Sequence, residues 1–327
     1  MWKLISIGIL IAASVLAASR GVASSEPDGR RSDLRSFDHL FVIMMENTSY
    51  ETLTGNPAAP WINAAAAKYG VATRYYGVSH PSQPNYLAAT SGSTNGVATN
   101  HDVTLKVRNL VDQLEASGKS WKDYQQSLSL CDGNKLSSIC GDRLYVRKHN
   151  PFVSYLNVQM NPARMANVVD LSELDADLRS GRAADFSWIS PDQCHDMHGR
   201  SAPKQDPCSD DNRRQLISAG DAFLKDWVGK IMASKAWTGN SVIFIVWDEG
   251  DSSSKEPPRG CCGADPGGGH VMMLVIRHSE SAPRRSDRIY NHYSLLATIQ
   301  DGWRLGCLVE TCDAKVRRMS DLLDGPP

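Results

Sequence analysis

The chain has 327 residues, with 35 Lys and Arg against 36 Asp and Glu and a formal net charge of −1. Near-neutral charge without a Lys/Arg stripe argues against nucleic-acid binding, and nothing after the N-terminus is long and apolar enough to span a bilayer. The length exceeds what one small core needs and suits a single large α/β domain.

Met1-Trp2-Lys3 opens an almost wholly apolar run from Leu4 to Ala18, and small residues follow at Ala17-Ala18-Ser19 and Gly21-Val22-Ala23. That pattern reads as a signal peptide over residues 1–23, cut near Ser19 or Ser24, with an uncleaved anchor as the alternative. Residues 24–36 are polar and turn-rich and read as a flexible leader, leaving 37–327 as the single domain. The mature protein is expected to be secreted or periplasmic, a monomer without a stable membrane anchor. All eight cysteines lie in that mature part, and an even set in an exported chain reads as disulfides. Short loop closure favours Cys131–Cys140, Cys194–Cys208 and Cys307–Cys312. The adjacent Cys261 and Cys262 are left without an assigned pairing.

Along the mature chain, strand and helix signals alternate. His39 to Met45 is a continuous apolar run, as expected for a strand buried on both faces. Trp61 to Tyr69 is Ala-rich and helical, and Val71 to Tyr76 is a second short strand. Asn109 to Ser117 spaces Leu110, Val111 and Leu114 along one helix face, with Gly118 as the stop. Asp185 to Ser190 reads as a strand, Gln215 to Ala233 as a long amphipathic helix, and Ser241 to Trp247 as the clearest buried strand. Val271 to Ile276 is another strand, and Tyr293 to Trp303 a closing helix. The alternation predicts an α/β sandwich, a mostly parallel sheet with helices on both faces. Ser127 to Pro162 and Pro191 to Asn212 are Cys-bearing and polar and read as loops over the sheet.

Ligands in such a fold collect at the carboxyl ends of the strands. The strand ending at Met45 runs into Glu46-Asn47, and the strand ending at Trp247 runs into Asp248-Glu249. Three anionic donors and one amide at one rim repel each other unless a cation neutralises them. One divalent ion is therefore expected, with calcium, magnesium, manganese and zinc all open. The alternative is that each pair caps its strand or the helix that follows.

Between these pairs lies Ser79-His80-Pro81-Ser82-Gln83-Pro84-Asn85-Tyr86-Leu87. Pro84 suits the first turn of a helix, which puts Ser82 near a helix N-terminus, where free amides favour an alkoxide and a phosphate. Asn85 is positioned to donate to a phosphoryl oxygen. An ordinary N-capping serine is the competing reading. The chain contains no Gly-x-Ser-x-Gly elbow, which argues against acyl transfer. A third group, Pro191 to Gly199 with Asp192, His195, Asp196 and His198, suits phosphate or a second metal, or a polar loop held by Cys194. His149 and His270 are candidates for protonating a leaving oxygen. Cys261, Cys262, Asp265 and His270 form an alternative zinc cluster, with a spacing that matches no standard finger.

Taken in order, Glu46-Asn-Thr-Ser-Tyr50, His80-Pro-Ser-Gln-Pro-Asn-Tyr-Leu87, Lys148-His-Asn-Pro-Phe152, Asp196-Met-His198, Trp247-Asp-Glu-Gly-Asp251 and Asn291-His-Tyr-Ser-Leu-Leu296 resemble the phosphoesterase family of bacterial phospholipases C and secreted acid phosphatases. The likeness spans about residues 38–323 and is strongest to the short secreted acid phosphatases, some of which act on phosphoinositides. It implies a three-layer α/β/α fold like that of alkaline phosphatase. It also implies Glu46, Asn47, Asp248 and Glu249 as metal ligands and Ser82 as a nucleophile touching the metal. His149, Asp196, His198 and His270 would line the phosphate pocket. The chain departs from the family at Thr48, where Arg is usual, and at His195 and the Cys-Cys-Gly before His270.

The expected function is hydrolysis of phosphate monoesters through a phosphoserine, on a small phosphorylated substrate or a phospholipid headgroup. The alternatives are a phospholipase C-type phosphodiesterase, a non-catalytic phosphate-binding protein, and a zinc hydrolase built on His195, His198 and His270.

Overall fold

The computed structural model describes residues 34–251, 253–254, 267–279 and 282–323. The expected signal segment, most of the leader, Cys261, Cys262 and Asp265 lie outside these residues. The apolar run at the start of the domain forms β1 (Leu40–Met45), buried at every position. After α1 (Tyr50–Leu53) comes α2 (Pro60–Lys68), opened by a proline whose missing N–H costs nothing in the first turn. Next are β2 (Gly70–Tyr76), α3 (Ser82–Ser91) and α4 (Leu110–Ala116), the last held by a capping box between Asn109 and Asp112.

β3 (Trp121–Gln125) leads to a small antiparallel ribbon of β4 (Ile139–Cys140) and β5 (Tyr145–Val146). Two short helices, α5 (Leu156–Gln159) and α6 (Pro162–Ala166), precede β6 (Val168–Asp170) and α7 (Ser172–Ser180). β7 (Phe186–Ser190), the long α8 (Arg213–Met232) and β8 (Val242–Trp247) follow. The chain continues through β9 (His270–Arg277), the short β10 (Arg285–Ser286) and β11 (Tyr290–Asn291), α9 (His292–Trp303) and α10 (Ser320–Leu323).

Among the described residues one nine-stranded sheet runs β10-β2-β9-β8-β1-β7-β3-β6, with β11 beside β2. The core strands β6, β3, β7, β1 and β8 are parallel, and β9 is antiparallel to both β8 and β2. The expectation of a mostly parallel sheet between helical layers holds, with that one reversal. β1 lies between β7 and β8, and Met45 is level with Trp247 across the β1–β8 ladder. The residues just past these three strands therefore emerge side by side at one edge.

Two segments differ from the sequence reading. β3 and β6 carry no long apolar run: β3 reads Trp-Lys-Asp-Tyr-Gln, and β6 has only three residues. The stretch from Ser127 to Pro162, read as a loop, holds the ribbon and a series of short turns. The three expected disulfides, Cys131–Cys140, Cys194–Cys208 and Cys307–Cys312, are formed. No helix among the described residues is long and apolar enough to cross a membrane.

α3 is buried along its whole length, and its end is fixed by Gly92 at φ 75°. A Cβ there would stand 2.2 Å from the Leu308 carbonyl oxygen, in a backbone region that side chains disfavour. Gly92→Ala should therefore cost at least about 1–2 kcal/mol from the left-handed conformation alone. Urea unfolding should read this as a lowered midpoint, and an unchanged midpoint would contradict the packing of α3 on the 307–312 loop.

Candidate active site

Ser82 is the first residue of α3, and its hydroxyl is the meeting point of the site. Oγ lies 3.1 Å from Glu46 Oε2 and 3.0 Å from Glu249 Oε1, and its single proton can serve only one of them at a time. Lys148 Nζ donates to the same oxygen over 3.3 Å. Glu46 follows β1, Glu249 follows β8 by two residues, and both are buried. Lys148 has no role legible in sequence, because nothing local connects it to a serine 66 residues away.

The acids are crowded. Asp248 accepts the Asn47 amide on Oδ1 over 3.0 Å, while Oδ2 is buried with no hydrogen-bond partner among the described residues. Burial, then the charges of Glu46 and Glu249, push the Asp248 carboxyl well above its ordinary range. Burial also acts to raise Glu46, but His149 and Lys148 outweigh it and hold Glu46 below the usual carboxylate range. Glu249 pairs with His80, a second contact that no local pattern encodes.

His149 bridges two acids, with Nε2 2.9 Å from Glu46 Oε1 and Nδ1 3.2 Å from Asp196 Oδ2. Its ring stacks on Tyr86 with centroids 5.4 Å apart. Burial alone would lower its pKa; the Glu46 charge and the Asp196 hydrogen bond reverse that and raise it. Asp196 also fixes the next turn by accepting the His198 amide over 2.7 Å. His198 has Nδ1 against the Gly199 carbonyl at 2.6 Å, so the proton sits there and Nε2 is the acceptor; burial, then Lys148, lowers its pKa.

Two expected contacts take another form. Asn85 accepts the amides of Val78 and Ser79 at 2.7 and 3.0 Å and donates to the carbonyls of Ser79 and Pro81. Its amide is used up holding the loop before Ser82 and is not free for a phosphoryl oxygen. Of the helix-start amides, Pro84 has none, and that of Gln83 goes to Asn100 Oδ1 at 3.0 Å. His270 has Nδ1 2.9 Å from Glu51 Oε1 and Nε2 2.9 Å from the Thr73 carbonyl, and it stacks on Tyr50. With both nitrogens engaged it offers none to a leaving group. His195 pairs with Asp192 at 2.7 Å, so His195, His198 and His270 each turn to a different partner and do not converge as a zinc site.

The donor set suits a hard cation: three buried carboxylates, two of which, Glu46 and Asp248, have an oxygen without a hydrogen-bond partner among the described residues. Among the described residues, however, no three His, Cys, Asp or Glu side chains converge as a ready-made metal cage. Thr48, where the resemblance implies Arg, accepts instead from the guanidinium of Arg213 at 2.9 Å.

Residues 56–306 match the model of the Phosphoesterase family. The chain belongs to this family. It is 30% identical over 299 residues to the phosphatidylinositol-3-phosphatase of Mycobacterium tuberculosis, an alignment covering 90% of this chain and 85% of that one. It is 25% identical to an acid phosphatase of Aspergillus fumigatus, over 90% of this chain and 62% of that one. A probable acid phosphatase of Kluyveromyces lactis is also 25% identical, over 83% and 59%. This phosphoesterase thus spans about three fifths of the length of these fungal relatives. In fold it resembles an alkaline phosphatase superfamily protein from Vibrio parahaemolyticus, with a TM-score of 0.56 at 14% identity over 89% of this chain and 71% of that one. The phosphonate monoester hydrolase of Agrobacterium radiobacter superposes with a TM-score of 0.54 at 13% identity, over 88% and 78%.

Beneath His149 runs a buried polar chain. Ser190 Oγ donates to the His149 carbonyl at 2.8 Å and lies 3.2 Å from Gln125 Nε2, which donates to Asp123 Oδ1 at 2.7 Å. Burial raises the Asp123 carboxyl from 3.8 to about 8. The unfolded chain loses this proton from about pH 4 upward while the folded protein keeps it to about pH 8, so stability falls across that window. Asp123→Asn should remove the loss. Its stability advantage should be near zero at pH 4 and grow toward pH 8, by at most about 1.4 kcal/mol per pH unit. Urea titrations across that range test this, and a pH-independent difference would count against it.

Proposed function

We propose that this phosphoesterase hydrolyses phosphate monoesters outside the cytoplasm, with Ser82 as the nucleophile. The observation that carries the reading is the Ser82 hydroxyl held between Glu46 and Glu249 with Lys148 on the same oxygen. A carboxylate accepts the serine proton, and the Lys148 charge favours the alkoxide and the approaching dianion. Attack on phosphorus breaks the bond to the alcohol, which leaves carrying a proton, and Ser82 becomes phosphoserine. Water then attacks that phosphorus, restoring the hydroxyl and releasing phosphate.

His149 keeps Glu46 and Asp196 in place as a charged bridge, and the His198 ring lies 6.0 Å from the His149 ring, centroid to centroid. Asn85 acts as the brace of the nucleophile loop. Glu46, Asn47, Asp248 and Glu249, with Ser82, would hold one divalent cation. When bound it would neutralise the acids, lower the proton affinity of the hydroxyl and offset charge on phosphoryl oxygens. Names of relatives support acid phosphatase activity. The three disulfides support export to an oxidising compartment. The relative named a phosphatidylinositol-3-phosphatase favours a second, narrower reading, in which the monoester is on an inositol phospholipid headgroup.

Ser82→Ala should fold normally and lose kcat by roughly 1000-fold or more. Acid-quenched wild-type protein should yield a phosphorylated peptide containing Ser82. Full turnover by the alanine variant would remove the nucleophile from this reading.

Chelation should abolish turnover, and a single divalent ion should restore it and raise the melting temperature. Asp248→Asn should lower the bound metal, because it removes an anionic donor, whereas Ser82→Ala should keep most of it. Metal analysis of the two variants decides. Unchanged metal content in Asp248→Asn, together with chelator-resistant wild-type activity, would sink the metal site.

A further inference from the structure

Arg213 is the first residue of α8, and its side chain leaves the helix to meet backbone from two other elements. Nη1 donates to the Met197 carbonyl, and Nη2 donates to the Asn47 carbonyl at 3.1 Å and to Thr48 Oγ1 at 2.9 Å. Asp251 Oδ2 lies 3.9 Å from the same nitrogen. One guanidinium thus joins the turns that follow β7 and β1 and reaches the one that follows β8.

Those turns are not at ease. Asn47 and Met197 both have positive φ, 40° and 81°, and neither is glycine. Such residues persist where the surroundings over-determine them. Arg213 takes the carbonyl oxygen of each. Thr48 Oγ1 turns back to the Glu46 carbonyl at 3.0 Å, and the Glu46 amide donates to the Asp196 carbonyl at 2.8 Å. The two turns therefore form one unit, with Glu46 and Asn47 on one side, Asp196 and His198 on the other, and the guanidinium as the clasp.

We propose that Arg213 is a positioning residue: its planar fork fixes the left-handed turns at Asn47 and Met197, so that Glu46 and the His149–Asp196 pair keep their register around Ser82. A lysine carries the same charge but lacks the rigid fork that spans acceptors on two turns. The kinetic consequence rests on the phosphoesterase reading given above; the mechanical tie does not.

The test uses the full chain with Arg213→Met, Arg213→Lys and Arg214→Met. Arg214 is exposed, so the last variant makes the same charge change one residue along. Turnover of p-nitrophenyl phosphate and backbone hydrogen exchange over residues 45–49 and 195–199 are measured on each. Arg213→Met should lower kcat ~10- to 100-fold, the scale of an ångström of misplacement at a reacting centre. KM should stay within about twofold, since ground-state binding is not the target. Exchange should speed up in both segments together. Arg213→Lys should recover only part of either signal, and Arg214→Met should match wild type. Wild-type kcat and exchange in Arg213→Met would overturn the proposal, as would equal losses in Arg214→Met. Should Arg213→Met fail to fold, the charge-conserving Arg213→Lys makes the same comparison. If wild-type protein hydrolyses no phosphoester, the functional reading fails, and the exchange data alone support or overturn the clasp.

Discussion

Burying like charges at one edge of the sheet is the constraint on which the rest of this structure turns. Glu46, Asp196, Asp248 and Glu249 are all nearly inaccessible to water. An unpaired ion in such a place costs several kcal/mol even after relaxation. The parallel register of β7, β1 and β8 forces the crowding, because it delivers the residues after each strand to the same level. Each acid is then offset differently: Glu46 and Asp196 by His149, Glu249 by His80, and one oxygen of Asp248 by the Asn47 amide. The second Asp248 oxygen has no such offset, and burial, then the charges of Glu46 and Glu249, push this carboxyl well above the ordinary range; burial raises Asp196 as well. The electrostatic strain falls where a cation would relieve it.

The same residue type answers this field in different ways. His149 sits between two carboxylates and its pKa rises, whereas burial, then the charge of Lys148, lowers that of His198. His292 is fully buried, and burial lowers it to about 4. It donates Nε2–H to the Asp248 carbonyl at 2.6 Å and accepts the Tyr75 hydroxyl on Nδ1 at 3.1 Å, as a neutral imidazole. It is a strut between α9, β2 and the end of β8. A histidine in a motif is thus not yet an acid or a base; the atoms on its two nitrogens decide.

The central architecture was legible because β1, β8 and β9 are long apolar runs, and because Glu46-Asn47 and Asp248-Glu249 stand directly after two of them. Pro84 likewise marked the start of α3 and hence the position of Ser82. The disulfides with short spans could be paired on loop closure alone. β3 was not legible, since its Lys122, Asp123 and Gln125 break any apolar run, and the strand is satisfied by partners such as Asp177 and Ser190 from distant sequence. Lys148, His80 and Arg213 escaped for a related reason. Their roles come from contacts 66, 169 and 166 residues away, which local pattern cannot encode.

Asn85 lies in the same dense motif as Ser82, and His270 follows a glycine run far from it in sequence, yet both are committed to backbone and neighbouring side chains. Asn85 takes two amides and gives two hydrogens to the stretch from Val78 to Pro81, and so fixes the chain immediately before the nucleophile. That stretch is pressed from the other side as well. A Cβ on Gly77 would come within 2.7 Å of the Asp248 carbonyl oxygen and equally close to that of Gly268. Backbone from the Ser82 loop, the end of β8 and the approach to β9 is packed there without room for a side chain. A reactive hydroxyl can be held to a fraction of an ångström only if the chain carrying it has no alternative path. The density of distinctive residues around Ser82 therefore reflects the cost of removing those paths as much as the chemistry itself.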